Sequence, residues 1–287
     1  MDAFDSPDAV AGALRSVGYL PDPTIAQVVF LAHRLEKPIL AEGPAGVGKT
    51  ALALAIAEAV GRRLVRLQCY EGLDESKALY EWNYHKQLLR LQSDEGKEWD
   101  DLQEGIFSES FLLSRPLLEA IRSEDPVVLL IDEVDRVEVE TEALLLEMLD
   151  TFQVTIPELG TITSATKPVV VLTSNNTREL SEALKRRCLY LHLDYPTIER
   201  EREILRSRVP DLDEAMALRI AETVASIRMI EIRKRPSVSE SLDWARALLA
   251  LGLDVDSEAT IETLNVLLKH RTDIERVAEQ LRVVGDR

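Results

Sequence analysis

The sequence predicts an α/β fold with a parallel sheet at its centre, followed from residue 196 by an all-helical domain. Three observations predict it. A short apolar run, Ile39-Leu40-Ala41, leads through a glycine-rich stretch into the helix-forming segment Ala51–Val60. Two later runs, Val127–Ile131 and Val169–Thr173, lack the polar alternation of a half-exposed strand, which marks strands covered on both faces. From Pro196 to Arg287 the pattern is helix after helix with no strand signal.

Taken in order, residues 1–37 read as helical. Ala9–Val17 is amphipathic, and Thr24–Leu35 sets Ile25, Val28, Val29, Ala32 and Leu35 on one face, with Thr24 behind Pro23 as its N-cap. The turn Gly18–Pro21 either lines a ligand pocket through Tyr19 or places Tyr19 in ordinary packing. After the first strand and its helix, Gly61 marks a stop and Leu64–Cys69 reads as a strand. Residues 72–105 break the sheet pattern and read as an insertion. It holds the aromatics Tyr80, Trp82 and Tyr84, a helical run Lys86–Leu91, and an acidic stretch Asp94–Glu104 that is a solvated face or a docking surface for a basic partner. The aromatics pack within the insertion or form a substrate-contacting patch.

Leu112–Arg122 reads as a helix with Pro116 near its start, and the Val127 strand then delivers Asp132-Glu133. Thr141–Asp150 is a helix with Leu144, Leu145, Met148 and Leu149 on its inner side. Phe152–Ile156 and Thr161–Thr163 form a hairpin. The Val169 strand ends at Ser174-Asn175-Asn176, Glu179–Lys185 is a short helix, and Cys188–Leu193 is the last strand. The helical domain consists of Ile198–Arg208, Asp213–Met229, Ser239–Leu251, Ser257–His270 and Asp273–Val284.

Composition bounds the function. A chain of 287 residues, 46% hydrophobic and 30% charged, suits one large or two modest globular domains. Its formal net charge of −17 argues against general binding of nucleic acid or anionic membranes, which needs clustered Lys and Arg. Cys69 and Cys188 lack metal-ligand or redox spacing and read as reduced, buried thiols, and His33, His85, His192 and His270 are scattered. The acidic N-terminus lacks the order of a signal peptide, and no apolar run approaches the roughly 20 residues that span a bilayer. The expectation is a cytoplasmic protein without membrane insertion.

The chemistry starts at Gly43-Pro44-Ala45-Gly46-Val47-Gly48-Lys49-Thr50, a G-x-x-x-x-G-K-[ST] phosphate cradle set between strand and helix. Backbone N–H groups can ring a phosphate only where no side chain blocks the approach, hence Gly43, Gly46 and Gly48. The start of the next helix adds unpaired N–H groups and its dipole. Lys49 is then expected on the β- and γ-phosphates of ATP, and the Thr50 hydroxyl on Mg²⁺. Asp132-Glu133 ends a buried strand at the edge where open α/β sheets bind ligands. Asp132 would hold the hydrated Mg²⁺, and Glu133 would orient the attacking water. At the end of the next buried strand, Asn175 or Asn176 would hydrogen-bond the γ-phosphate or the water, with Asn175 preferred. Lys185-Arg186-Arg187 ends a short helix. An arginine there reaches a neighbouring subunit's γ-phosphate, or the three cations only complement the helix C-terminus.

The order Ala41–Thr50, Leu130-Ile131-Asp132-Glu133-Val134-Asp135-Arg136, the helix and hairpin around Glu147 and Gln153–Ile156, Ser174-Asn175-Asn176, Leu184-Lys185-Arg186 and Asp194-Tyr195-Pro196 resembles the MoxR family of AAA+ ATPases. The segments Tyr80–Tyr84 and Pro236–Glu240 are most similar to its CoxD-like members. The resemblance covers about residues 20–250. It implies a five-stranded αβα P-loop core over residues 1–195, with Walker A and Walker B motifs, a helix-2 insertion within 72–105 and a hairpin at 153–163. It implies a helical lid over 196–287 and ATP between core and lid. It also implies a Mg²⁺-dependent, chaperone-like motor acting as a homo-oligomeric ring, usually a hexamer, with Arg186 acting in trans and Arg136 also facing the neighbour. The implied partners are a von Willebrand factor A domain protein and a client metalloenzyme, carbon monoxide dehydrogenase for CoxD-like members. The lid departs from many relatives, which carry an arginine near the start of the 239–251 helix. Here that helix begins Ser239-Glu240-Ser241, so Arg233, Lys234 or Arg235 substitutes, or the arginine is absent. That departure keeps a second reading open, a slow nucleotide-gated assembly switch.

Overall fold

A computed structural model describes residues 4–93, 106–255 and 257–285. Contacts divide the chain into two compact units, one of Met1–Glu42 with Lys49–His192 and one of Gly43–Gly48 with Leu193–Arg287.

The first unit is built on a parallel five-stranded sheet in the order β2-β5-β8-β1-β9, with β1 Ile39–Glu42, β2 Arg63–Gln68, β5 Val127–Asp132, β8 Val169–Ser174 and β9 Leu189–His192. Strand β5 is buried at every position, since β2 and β8 pair with it on either side and helices cover its faces. That is the burial its unbroken apolar run requires. Strand β2 lies at the sheet's edge and alternates, with Val65 and Leu67 buried and Arg66 and Gln68 exposed. The main core gathers Leu129, Ile131, Leu172, Leu117, Ile121, Leu145 and Leu149 between the sheet and its helices.

Two small antiparallel pairs flank the sheet. β6 Gln153–Ile156 and β7 Gly160–Thr163 form the expected hairpin, and β3 Tyr80–Trp82 pairs with β4 Leu112–Ser114. The second pair corrects two expectations. Tyr80–Trp82 does form a strand, and the helix expected over Leu112–Arg122 begins only at Pro116. Proline disfavours the helical region for the residue before it, so Arg115 is extended and the chain upstream is free to pair with β3. Trp82 is buried edge-on to Phe107 and Tyr80, whereas Tyr84 is exposed. The acidic stretch Asp94–Glu104 lies outside the described residues.

Helix boundaries follow their caps. Asp22, not Thr24, caps the second helix: its Oδ1 accepts the Ile25 N–H at 2.8 Å, and Pro23 takes the first helical position, where its missing N–H costs nothing. The short helix expected from Glu179 runs Glu182–Arg187 because Ser181 caps it. The helix expected from Ser257 to His270 ends at Leu267.

The second unit packs helices Ile198–Arg208, Glu214–Met229, Val238–Leu251, Ser257–Leu267 and Arg271–Gly285 around Trp244, Ile220, Val224, Leu248 and Leu264. Within it, Glu201, fully buried, pairs with Arg228 through Nη2 at 2.8 Å and receives the Ser241 hydroxyl at 2.6 Å. Arg228 also donates to the Pro236 carbonyl at 2.8 Å and lies over the Tyr195 ring. Among the described residues, no helix is long and apolar enough to cross a membrane.

Candidate nucleotide site

The glycine-rich loop Gly43–Gly48 connects β1 to the helix Lys49–Ala59. Gly43 and Gly46 are left-handed, with φ of 153° and 76°. A Cβ on Gly43 would lie 1.8 Å from the Leu193 carbonyl oxygen, and one on Gly46 would lie 2.4 Å from both Cβ and Oγ of Ser237. Pro44 and Val47 are partly buried and Ala45 is exposed. Such a loop presents backbone rather than side chains, as an anion cradle requires.

Lys49 and Thr50 begin the following helix. Burial pushes the Lys49 ammonium below its usual pKa, and the surrounding carboxylates of Asp135, Asp132, Glu133 and Glu42 oppose that shift. Asp132 and Glu133 stand at the end of β5. The Thr50 hydroxyl donates to Asp132 Oδ1 at 3.0 Å, and the Thr173 hydroxyl donates to the same oxygen at 2.6 Å. Thr173 Oγ1 also accepts the Glu133 N–H at 2.8 Å. That bond holds a residue whose φ of 58° is left-handed without being glycine.

Asp132 Oδ2 takes an ion pair from Arg66 Nη2 at 2.5 Å. The same nitrogen lies 2.6 Å from Gln68 Oε1, and the Gln68 amide donates to Glu133 Oε2 at 3.3 Å. Arg136 Nε also pairs with Glu133 Oε2, at 2.9 Å. From the end of β8, the Asn175 amide reaches Glu133 Oε1 at 3.5 Å. Asn176 is exposed and left-handed and donates its backbone N–H to Ser174 Oγ, while the side-chain amide that reaches Glu133 is that of Asn175.

Asp135 is buried and accepts both the N–H and the hydroxyl of Thr177 on Oδ2, at 2.9 and 2.6 Å. Burial pushes its carboxyl up, but those hydrogen bonds outweigh burial and hold it below the usual range. Arg186 stands apart from this cluster. Its neighbours Lys185 and Arg187 pair with Glu179 and Asp150, while Arg186 is exposed with no ion pair among the described residues.

The donor set fits a hydrated Mg²⁺ carried in with a nucleotide. Thr50 and Asp132 offer hard oxygens, and among the described residues no cluster of three or more His, Cys, Asp or Glu could form an all-protein metal cage. Arg66, Gln68 and Thr173 escaped sequence reasoning. The first two carried a signal, being polar at alternate positions of a strand whose other face is apolar.

Comparisons with known proteins agree on the fold. The family model described as "ATPase family associated with various cellular activities (AAA)" matches residues 39–193. An uncharacterized protein of Staphylococcus saprophyticus is 26% identical over 265 residues, covering 90% of this chain and 91% of the relative. Another, from Staphylococcus aureus, is 28% identical over 236 residues, covering 80% and 82%. Among solved structures, one variant of RuvB from Thermotoga maritima superposes with a TM-score of 0.52 at 18% identity, covering 86% of this chain and 70% of RuvB. A second such variant gives 0.51 at 20%, covering 91% and 72%.

Proposed function

The chain belongs to the AAA family of ATPases, and from that premise we propose that it is a Mg²⁺-dependent ATPase whose turnover drives remodelling of a client protein. The observation that carries the reading is the convergence of Thr50, Asp132, Glu133 and Asn175 at the carboxyl ends of adjacent parallel strands, with Thr50 and Asp132 3.0 Å apart. The loop Gly43–Gly48 and Lys49 bind the phosphates of ATP. Thr50 and Asp132 hold Mg²⁺, which when bound neutralises charge on the phosphate oxygens. Glu133 orients water and accepts its proton, and Asn175 fixes water or γ-phosphate relative to Glu133. Arg186, exposed and without an ion pair among the described residues, acts on a neighbouring subunit's nucleotide. Such a finger is typically worth about 10³–10⁵ in rate.

The finer assignment is to the MoxR group, as a ring oligomer, a hexamer, in the cytoplasm. It works with a von Willebrand factor A domain partner on a metalloenzyme in maturation, of the carbon monoxide dehydrogenase type. What supports this is the motif order and the Pro236–Glu240 segment. A slow assembly switch is the second reading. It is favoured by the 2.9 Å ion pair of Arg136 on Glu133, which engages the carboxylate that must accept a proton.

Glu133→Gln tests both. It should bind ATP, fail to hydrolyse it, and in ATP retain subunits and client for affinity capture. Normal turnover in that variant removes Glu133 from catalysis. Arg186→Ala should lose activity and regain part of it when mixed with Glu133→Gln subunits, whose own finger is intact, and no recovery argues against action in trans. Wild-type turnover confined to a single slow round per subunit favours the switch.

A further inference from the structure

Asp132 makes an unusual set of contacts for a carboxylate meant to meet a divalent cation. Its side chain is only 4% exposed, and its two oxygens are treated differently. Oδ1 receives two neutral hydroxyls, from Thr50 and Thr173, while Oδ2 receives a full positive charge from Arg66. Arg66 is no buried core partner. Its side chain is 51% exposed, and it leaves the solvent face of β2 to reach over the carboxylate. In the parallel register Arg66 lies opposite Leu130 and Gln68 opposite Asp132, so both polar side chains stand on one face of β2 beside the carboxylates that end β5. The guanidinium therefore gives the buried carboxylate a directly paired charge on Oδ2, where Oδ1 receives hydroxyls.

We propose that Arg66 sets the divalent-cation dependence of nucleotide binding by holding Asp132 Oδ2 and yielding it when a metal arrives with the nucleotide. The proposal rests on the nucleotide reading of the site. Its physical content is competition. A guanidinium at 2.5 Å lowers the electrostatic gain that a second cation obtains from the same carboxylate, and it must retreat toward solvent as the metal enters. Its exposure makes that retreat possible, because a displaced Arg66 head is hydrated rather than stranded. Arg66 is thus a positioning residue that acts through Asp132. It keeps Asp132 aimed at Thr50 in the metal-free protein and makes the metal's contribution to nucleotide affinity smaller than the carboxylate alone would give.

The test reads binding, not turnover. A fluorescent ADP analogue is titrated with wild type, Arg66→Gln and Arg66→Lys, each in excess EDTA and in saturating Mg²⁺. The ratio of the two dissociation constants measures metal–nucleotide coupling, which linkage makes reciprocal. Arg66→Gln should raise that ratio about two- to fivefold, the scale expected for a half-exposed ion pair. It should leave the EDTA value within about threefold, since the guanidinium acts through its pairing with Asp132. Arg66→Lys, which keeps the charge, should stay near wild type, and that rescue excludes a loss of fold. An unchanged or smaller ratio in Arg66→Gln, with the EDTA value intact, overturns the proposal. Failure of wild type to bind the analogue in either condition overturns the nucleotide reading itself.

Discussion

Thr173→Val should cost both stability and turnover, because one buried hydroxyl serves two site residues at once. Its Oγ1 donates to Asp132 Oδ1 at 2.6 Å and accepts the Glu133 N–H at 2.8 Å, in a side chain 1% exposed. Valine matches the shape but can do neither. A lost hydrogen bond to a charged group costs about 1.5–3 kcal/mol, and an N–H left unpaired costs about 1–3 kcal/mol. The expected loss is therefore about 3–5 kcal/mol in urea unfolding at 25 °C. The second bond also braces Glu133 in its left-handed conformation, so its removal should reach activity. If a third of that energy supports the reactive geometry, kcat falls about tenfold. Thr173→Ser keeps the hydroxyl and should behave nearly as wild type. A loss below about 1 kcal/mol together with unchanged kcat would refute the assignment of the hydroxyl as a brace for both carboxylates.

Three further outcomes are expected. Gly46→Ala places a Cβ 2.4 Å from Ser237 in a backbone with φ of 76°, so fluorescence titration should show nucleotide affinity down tenfold or more, the clash adding to about 1–2 kcal/mol of left-handed strain. Arg228→Met strands the fully buried Glu201 and should destabilise the helical unit by about 3–5 kcal/mol, read as an earlier unfolding transition in calorimetry, with Glu201→Met in the same chain restoring most of it. Burial pushes both the Cys69 and Cys188 thiols up to about 12, so a disulfide reagent at pH 8 should label neither until denaturant is added. Because both folded values are raised, the thiols' contribution to stability is fully present below the unfolded pKa near about 8.5 and is lost as pH rises toward the folded values.

The parts of the fold legible in the sequence are those specified by local chemistry. Val127–Ile131, short and rich in β-branched residues, reads as a strand covered on both faces, and Gly43–Thr50 uses residue types that few other structures need in that order. What escaped was set by distant partners. Tyr80–Trp82 becomes a strand because Leu112–Ser114 lies beside it, about thirty residues on, and no periodicity in either segment announces the pairing. Arg66 and Thr173 fell within runs read only as strands. Their roles exist only because β2, β5 and β8 are adjacent in the sheet, which places both side chains on Asp132. Ser181 and Asp22 were different, since each is an ordinary N-cap type and could have been found by testing every Ser and Asp before an apolar turn.

The helical unit bears on the question raised by its missing arginine. Lys234, one candidate substitute, has its ammonium 3.3 Å from Glu240, and the backbone N–H groups of Arg233 and Lys234 are held by Asp273. Gly46 of the glycine loop lies against Ser237, the N-cap of Val238–Leu251, locked in a capping box with Glu240. The neighbouring buried charge, Arg228, is committed to Glu201 and the Pro236 carbonyl, one residue before that cap. Gly46 is therefore braced by a hydroxyl and a helix cap. A change at the cap acts on the loop through contact, which is short-ranged and insensitive to salt, whereas an arginine would act through a field that salt screens. Loop-dependent nucleotide affinity should accordingly respond strongly to Ser237→Val, which adds a branched methyl against Gly46 and removes the cap. It should respond weakly to Arg235→Ala, and the reverse order would mean that Arg235 supplies the missing charge.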